Sequence, residues 1–117
     1  VAAWFWGHEH NLCIYKDNFR PEGWPEATNE PDDQLQNLKK GRCVGHSAIP
    51  VAKDEDPYKI NHDVPFAKDD LVLGLKDGWY NRGFEIIKLN GKEAITTYYQ
   101  VNGADPTPIE IFKERLS

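Results

Sequence analysis

Methionine is absent from all 117 residues. A chain without one does not open at a natural start codon, so the sequence is expected to begin inside a larger protein. Cysteine is nearly absent too. Cys13 and Cys43 alone make no disulfide framework, and their separation matches no zinc finger or ribbon. Both sit in apolar, strand-like surroundings (Leu12-Cys13-Ile14-Tyr15 and Arg42-Cys43-Val44-Gly45). There a free cysteine behaves as a small buried hydrophobe, and a disulfide between adjacent strands is the lesser alternative. Reduced thiols suit a cytoplasmic location. No apolar run approaches the ~18 residues of a membrane-spanning helix, and no secretory leader pattern is present. Clusters of lysine and arginine are missing as well, in a chain of formal charge -5. That balance disfavours nucleic acid or an anionic membrane as the main partner.

What is present suits one domain, or part of one. A chain of this length buries roughly two-thirds of its unfolded surface, enough for one modest core. Val1 to Trp6 is apolar at consecutive positions, the pattern of a strand covered on both faces. Leu12 to Tyr15 reads as a second short strand, and Arg42 to Val51 as a third ending near Pro50. Two long connections, at about 16–41 and 52–68, carry most of the prolines and acids. A helical turn at Asp32 to Lys39 is the one element expected inside them. Leu71 to Leu75 is a short apolar stretch around Gly74. Arg82 to Leu89 and Glu93 to Val101 are rich in β-formers and joined at Asn90-Gly91, which predicts a hairpin with a type I′ turn. Thr107, Pro108 and Glu110 suit the cap, first and third positions of a helix running to Leu116. The isolated chain is thus expected to be mainly β (α+β), with that short C-terminal helix.

The chemistry-bearing motif is Gly7-His8-Glu9-His10, directly behind Trp4-Phe5-Trp6. Two imidazoles two residues apart at a strand end can face the same way, and neutral imidazole is the commonest side-chain metal ligand. Glu9 points to the opposite face if the backbone stays extended. Two imidazoles are too few for a tight divalent site, so surface or hydrogen-bonded histidines remain the plain alternative.

Trp-Phe-Trp-Gly-His-Glu-His, positions 4 to 10, resembles the last conserved block of the calcineurin-like metallophosphoesterases, an apolar strand ending in Gly-His-x-His. Gly41 to Val51, Trp79 to Ile87 and the closing hairpin ending in Tyr98 to Gly103 are similar to the segments downstream of that block in bacterial members, so the resemblance covers essentially the whole chain. It implies the C-terminal part of a four-layer αββα fold spanning residues 1–117. It also implies a bimetal hydrolase of phosphomonoesters or phosphodiesters. By the same resemblance His8 and His10 each ligate one of two divalent ions, with manganese, iron or zinc suiting such a shell. Two cations about 4 Å apart activate water and clamp a phosphoryl oxygen. The family's Asp-x-His, Gly-Asp-x-x-Asp and Gly-Asn-His-Asp/Glu blocks precede Gly-His-x-His and are not in this sequence. The missing N-terminal half of the domain is therefore the expected partner. The chain alone is expected to be inactive and to bind few or no ions. An unpaired first strand also predicts a homo-oligomer through exposed strand edges.

Other residues have two readings each. His46 follows a glycine at a strand end and is a candidate substrate contact, or a hydrogen-bonded structural histidine. Arg82 suits bidentate phosphate recognition, or is a surface arginine at a strand edge. His62 belongs on an exposed loop. Trp4 and Trp6 read as core. Asp54-Glu55-Asp56 lacks the spaced ligands of a calcium loop and reads as solvated. The alternative function is a non-catalytic β-rich binding domain whose His-x-His is incidental.

Overall fold

A computed structural model describes residues 3–18, 39–55 and 71–116, and it is mainly β. His62, Asp56 and the expected turn from Asp32 up to residue 38 lie outside the described residues. β1 (Trp4–Trp6), β2 (Leu12–Ile14) and β3 (Gly41–Val44) form one sheet in the order β1-β3-β2. β1 runs parallel to β3, with Trp4 opposite Gly41 and Trp6 opposite Cys43. β2 is antiparallel to β3, with Cys13 opposite Cys43. Side chains alternate across a strand, so Leu12 and Ile14 cover one face while Cys13 and Tyr15 cover the other. All four are buried, which is why β2 is apolar at successive positions. β1 is less covered than its sequence predicts, since Trp4 is 53% exposed. β3 is also shorter than expected, because a single 3-10 turn over Gly45–Ser47 ends it.

β4 (Leu75–Lys76) and β5 (Trp79–Tyr80) form a small hairpin closed by Asp77-Gly78. Both turn residues have positive φ, 52° and 82°, the requirement of a type I′ turn. β6 (Arg82–Asn90), β7 (Glu93–Asn102) and β8 (Asp105–Arg115) then form an antiparallel meander. The hairpin expected between β6 and β7 is present, but its turn differs. Asn90 pairs with Glu93, so the central residues are Gly91 and Lys92. Of these only Gly91 has positive φ, 58°, which is the type II′ pattern.

The helix expected from Pro108 to Leu116 is instead the last strand. Asp105 takes up the Thr107 N–H at 2.9 Å, so Thr107 closes an Asx turn rather than capping a helix. Residues 105–115 then supply the ladder partner that β7 needs on its free side. Pro106 and Pro108 are tolerated because β8 is an edge strand. Local helix signals lost to the pairing and burial available in the fold.

The two larger sheets meet face to face. Leu12 and Ile14 pack with Leu73 and Tyr98, ringed by Phe5, Val44, Leu71, Tyr80, Ile111 and Phe112. Inside this layer lies Arg42, whose side chain is 1% exposed. Its Nε and Nη2 donate to the two oxygens of Glu114 at 2.6 and 2.8 Å. Its Nη1 donates to the carbonyls of Tyr15 and Gly41 at 2.9 and 2.8 Å. Tyr98 Oη donates to Glu114 at 2.9 Å. A forked guanidinium suits this role because it can pair a carboxylate bidentately and still serve backbone carbonyls. Among the described residues no helix is long and apolar enough to cross a membrane.

Candidate metal-ligand loop and its surroundings

β1 ends at Trp6 and the backbone then bends through Gly7 to His10. His8 and His10 both hold positive φ, 81° and 54°, a region that few residues other than glycine adopt. The loop is therefore not the extended segment expected of two imidazoles sharing one strand face. Glu9, like His8, is exposed. Its carboxylate lies 3.2 Å from Cys43 Sγ, on the cysteine face of the first sheet.

The loop is pressed against the 3-10 turn that comes after β3. A Cβ on Gly45 would stand 2.8 Å from the His10 backbone nitrogen and 3.3 Å from that of His8. Only glycine permits this approach. Gly7-His8 and Gly45-His46 thus lie side by side at the carboxyl ends of two adjacent parallel strands. No hydrogen bond or ion pair joins the imidazole of His8 or His10 to a described residue. Among the described residues no cluster of three or more His, Cys, Asp or Glu side chains could hold a metal ion.

His46 itself is turned inward and is 2% exposed. Its Nε2 lies 3.2 Å from the Tyr99 carbonyl, and its Nδ1 has no partner in hydrogen-bonding geometry among the described residues. Burial holds its pKa below the ordinary histidine value, opposed in part by the Tyr99 and Val44 backbone. The ring packs where a side chain of Gly83 would point: a Cβ there would collide with the Tyr99 carbonyl and stand 2.7 Å from His46 Cδ2. Arg82, the neighbour of Gly83 in β6, is exposed and projects from the opposite face of that strand. The two candidate substrate contacts are therefore separated by the sheet.

Cys13 and Cys43 are free and buried. Cys13 Sγ and Cys43 Sγ lie 3.5 and 3.3 Å from the same acceptor, Asn11 Oδ1. Burial pushes the Cys13 thiol up to about 12, with Glu9 adding to the rise and Tyr15 opposing it. Burial pushes Cys43 up as well. Burial thus keeps both thiols protonated in the metal-free chain, which disfavours them as nucleophiles.

The feature that sequence reasoning passed over is a cleft of about 590 Å³ beside β6, lined by Lys76, Trp79, Arg82 and Phe84 among others. Its signal was Asp77-Gly78, a turn dipeptide as strong as the Asn-Gly that drew attention. No protein-family model, curated protein or solved structure significantly matches this chain.

Proposed function

We propose that this chain is the C-terminal part of a calcineurin-like, metal-dependent phosphoesterase of four-layer αββα fold, and that it supplies the Gly-His-x-His ligand block. The observation that carries this reading is the backbone of His8 and His10. Both residues hold left-handed φ at the carboxyl end of β1, beside the carboxyl end of its parallel partner β3. Backbone strain at non-glycine residues persists where the surroundings over-determine it, and it concentrates at active sites. The carboxyl ends of adjacent parallel strands are also where sheet proteins place ligands.

The donor chemistry suits a divalent ion, because both imidazoles lack a protein partner among the described residues. Two ligands do not complete a site, so the upstream half of the domain supplies the others. In that parent protein His8 would hold one of two divalent ions and His10 the other, and manganese, iron or zinc there would supply water activation and charge neutralisation for a phosphomonoester or phosphodiester. Gly45 keeps the loop in place by admitting its backbone so closely. The isolated chain is inactive on this reading, and family membership fixes the reaction far better than the substrate. The second reading, a β-rich binding domain with an incidental His-x-His, is favoured by the missing third ligand among the described residues.

Calorimetric titration with manganese and zinc, beside the His8→Ala/His10→Ala variant, separates the two. The isolated chain should bind either ion only weakly. Joined to its upstream reading frame, it should bind both ions and hydrolyse a generic phosphodiester, with the double variant losing at least ~100-fold of that activity. An upstream frame without Asp-x-His and Gly-Asp-x-x-Asp, or hydrolysis indifferent to both substitutions, would leave the binding-domain reading standing.

A further inference from the structure

The outer cleft has a built floor and two walls. Arg82, Phe84 and Val101 form the floor on one face of β6 and β7. Phe84 is stacked on Tyr99 at 5.0 Å, which stiffens it. The β4–β5 hairpin makes one wall through Lys76, Asp77 and Trp79, and Gly103 in the β7–β8 turn stands opposite. The Lys76 side chain reaches across, since a Cβ on Gly103 would stand 3.9 Å from its Cδ.

Trp79 is 49% exposed, yet its strand is firmly held. It pairs with Lys76 and forms a bridge to Ala52. The N–H groups of Tyr80 and Asn81 donate to the carbonyls of Val51 and Gly74 at 2.9 and 2.7 Å. Tyr80 turns into the core while Trp79 turns outward. A large aromatic ring on a fixed strand, outside the core and beside a cleft, is a stacking platform rather than packing. Lys76 and Arg82 have no carboxylate partner among the described residues. Asp77 is the one carboxylate of the lining, so the cleft is locally cationic in a chain of net charge -5.

A flat ring beside two unpaired cations matches a ligand that carries an aromatic plane and an anion together. Phosphate alone leaves Trp79 unused, and an uncharged nucleoside leaves Lys76 and Arg82 unmatched. We propose that this cleft binds a nucleoside phosphate, with its base stacked on Trp79 and its phosphate held by Lys76 and Arg82. None of the residues that line the cleft belongs to the His8–His10 loop, so the proposal does not rest on the phosphoesterase reading.

The test is calorimetric titration of the whole chain with adenosine monophosphate, adenosine and inorganic phosphate, each in excess chelator so that no divalent ion contributes. The nucleotide should bind at least ~10-fold more tightly than either part. Trp79→Ala should weaken it about 5- to 100-fold, and Trp79→Phe much less, because stacking tolerates any flat ring. Arg82→Gln and Lys76→Gln should each cost about tenfold, being losses of a charge-assisted contact. Circular dichroism on each variant keeps a folding defect from passing as lost binding, and the two charge variants lie on different strands. No binding of the nucleotide overturns the proposal. So does binding no tighter than phosphate alone, or affinity unchanged in Trp79→Ala.

Discussion

At the residue scale, the most consequential side chains are ones whose partners lie far away in sequence. Arg42 and Glu114 are 1% and 10% exposed and form a bidentate pair. Burial alone would raise the Glu114 pKa, but Arg42, Tyr98 and Lys40 together hold it below the usual carboxylate range. Burial likewise opposes the Arg42 charge, and Glu114 more than offsets it. Glu114 therefore contributes stability that is fully present above the unfolded carboxylate pKa of about 4.3. That contribution is lost as pH falls through the lower folded value. His46, also depressed by burial, erodes stability earlier, as pH falls below about 6.5. Denaturant midpoints measured across pH should show both limbs. Glu114→Gln should cost about 1–3 kcal/mol at neutral pH, because it removes the bidentate carboxylate and leaves Arg42 with the more distant Asp17 at 3.3 Å. It should also flatten the lower limb and leave the upper one. A variant with an unchanged acid profile would mean that the pair does not govern acid unfolding. Nothing local in Gly41-Arg42-Cys43 announces this role, since a partner 72 residues away decides it.

At the element scale, patterns of two and turn dipeptides were legible, while their exact phase was not. The β6–β7 hairpin was evident from β-branched and aromatic runs flanking Asn90-Gly91. Its cross-strand register then moved the turn by one residue, so that Gly91 and Lys92 are central and Asn90 belongs to the ladder. Gly91→Ala should therefore cost about 1–2 kcal/mol, the penalty for a Cβ at positive φ. Asn90→Ala should cost far less. Equal losses in the two variants would place Asn90 back in the turn. β8 makes the opposite point. Thr107-Pro108 with Glu110 satisfies every local rule for a helix start, yet β7 had an unpaired edge and the core had room for Ile111 and Phe112. Propensities differ by a few tenths of a kcal/mol per residue, and pairing with burial outweighs them.

At the scale of the whole molecule, the described residues leave β1 at a sheet edge. Trp4-Phe5-Trp6 carries no charge or proline, and Trp4 is 53% exposed. The edge strands of the meander are better guarded, β6 by Arg82, Glu85 and Lys88 and β8 by Pro106, Pro108 and Lys113. Association through β1 is therefore expected for the isolated chain. Sedimentation velocity over a concentration series should show reversible growth in mass, reduced by Trp4→Lys. A monomer at every concentration would refute it. On the proposed phosphoesterase reading, strands of the upstream half would add at this edge, and restoring them should also suppress association.

By itself the sequence determined the mainly β class, two of the three N-terminal strands' apolar character, the meander's first hairpin and the burial of two free thiols. Those features arise from alternation, β-branching and turn chemistry, all of which act within a few residues. It also displayed His8 and His10 as the residues to examine. Only the tertiary structure decided that their backbones are left-handed and pressed on Gly45. Only it set His46 and Arg82 on opposite faces of β6, buried Arg42 against Glu114 and raised Trp79 beside two cations that have no carboxylate partner among the described residues. Each of these depends on which distant segments meet and in what register. A shift of one residue in a strand exchanges its faces, and no local pattern carries that information.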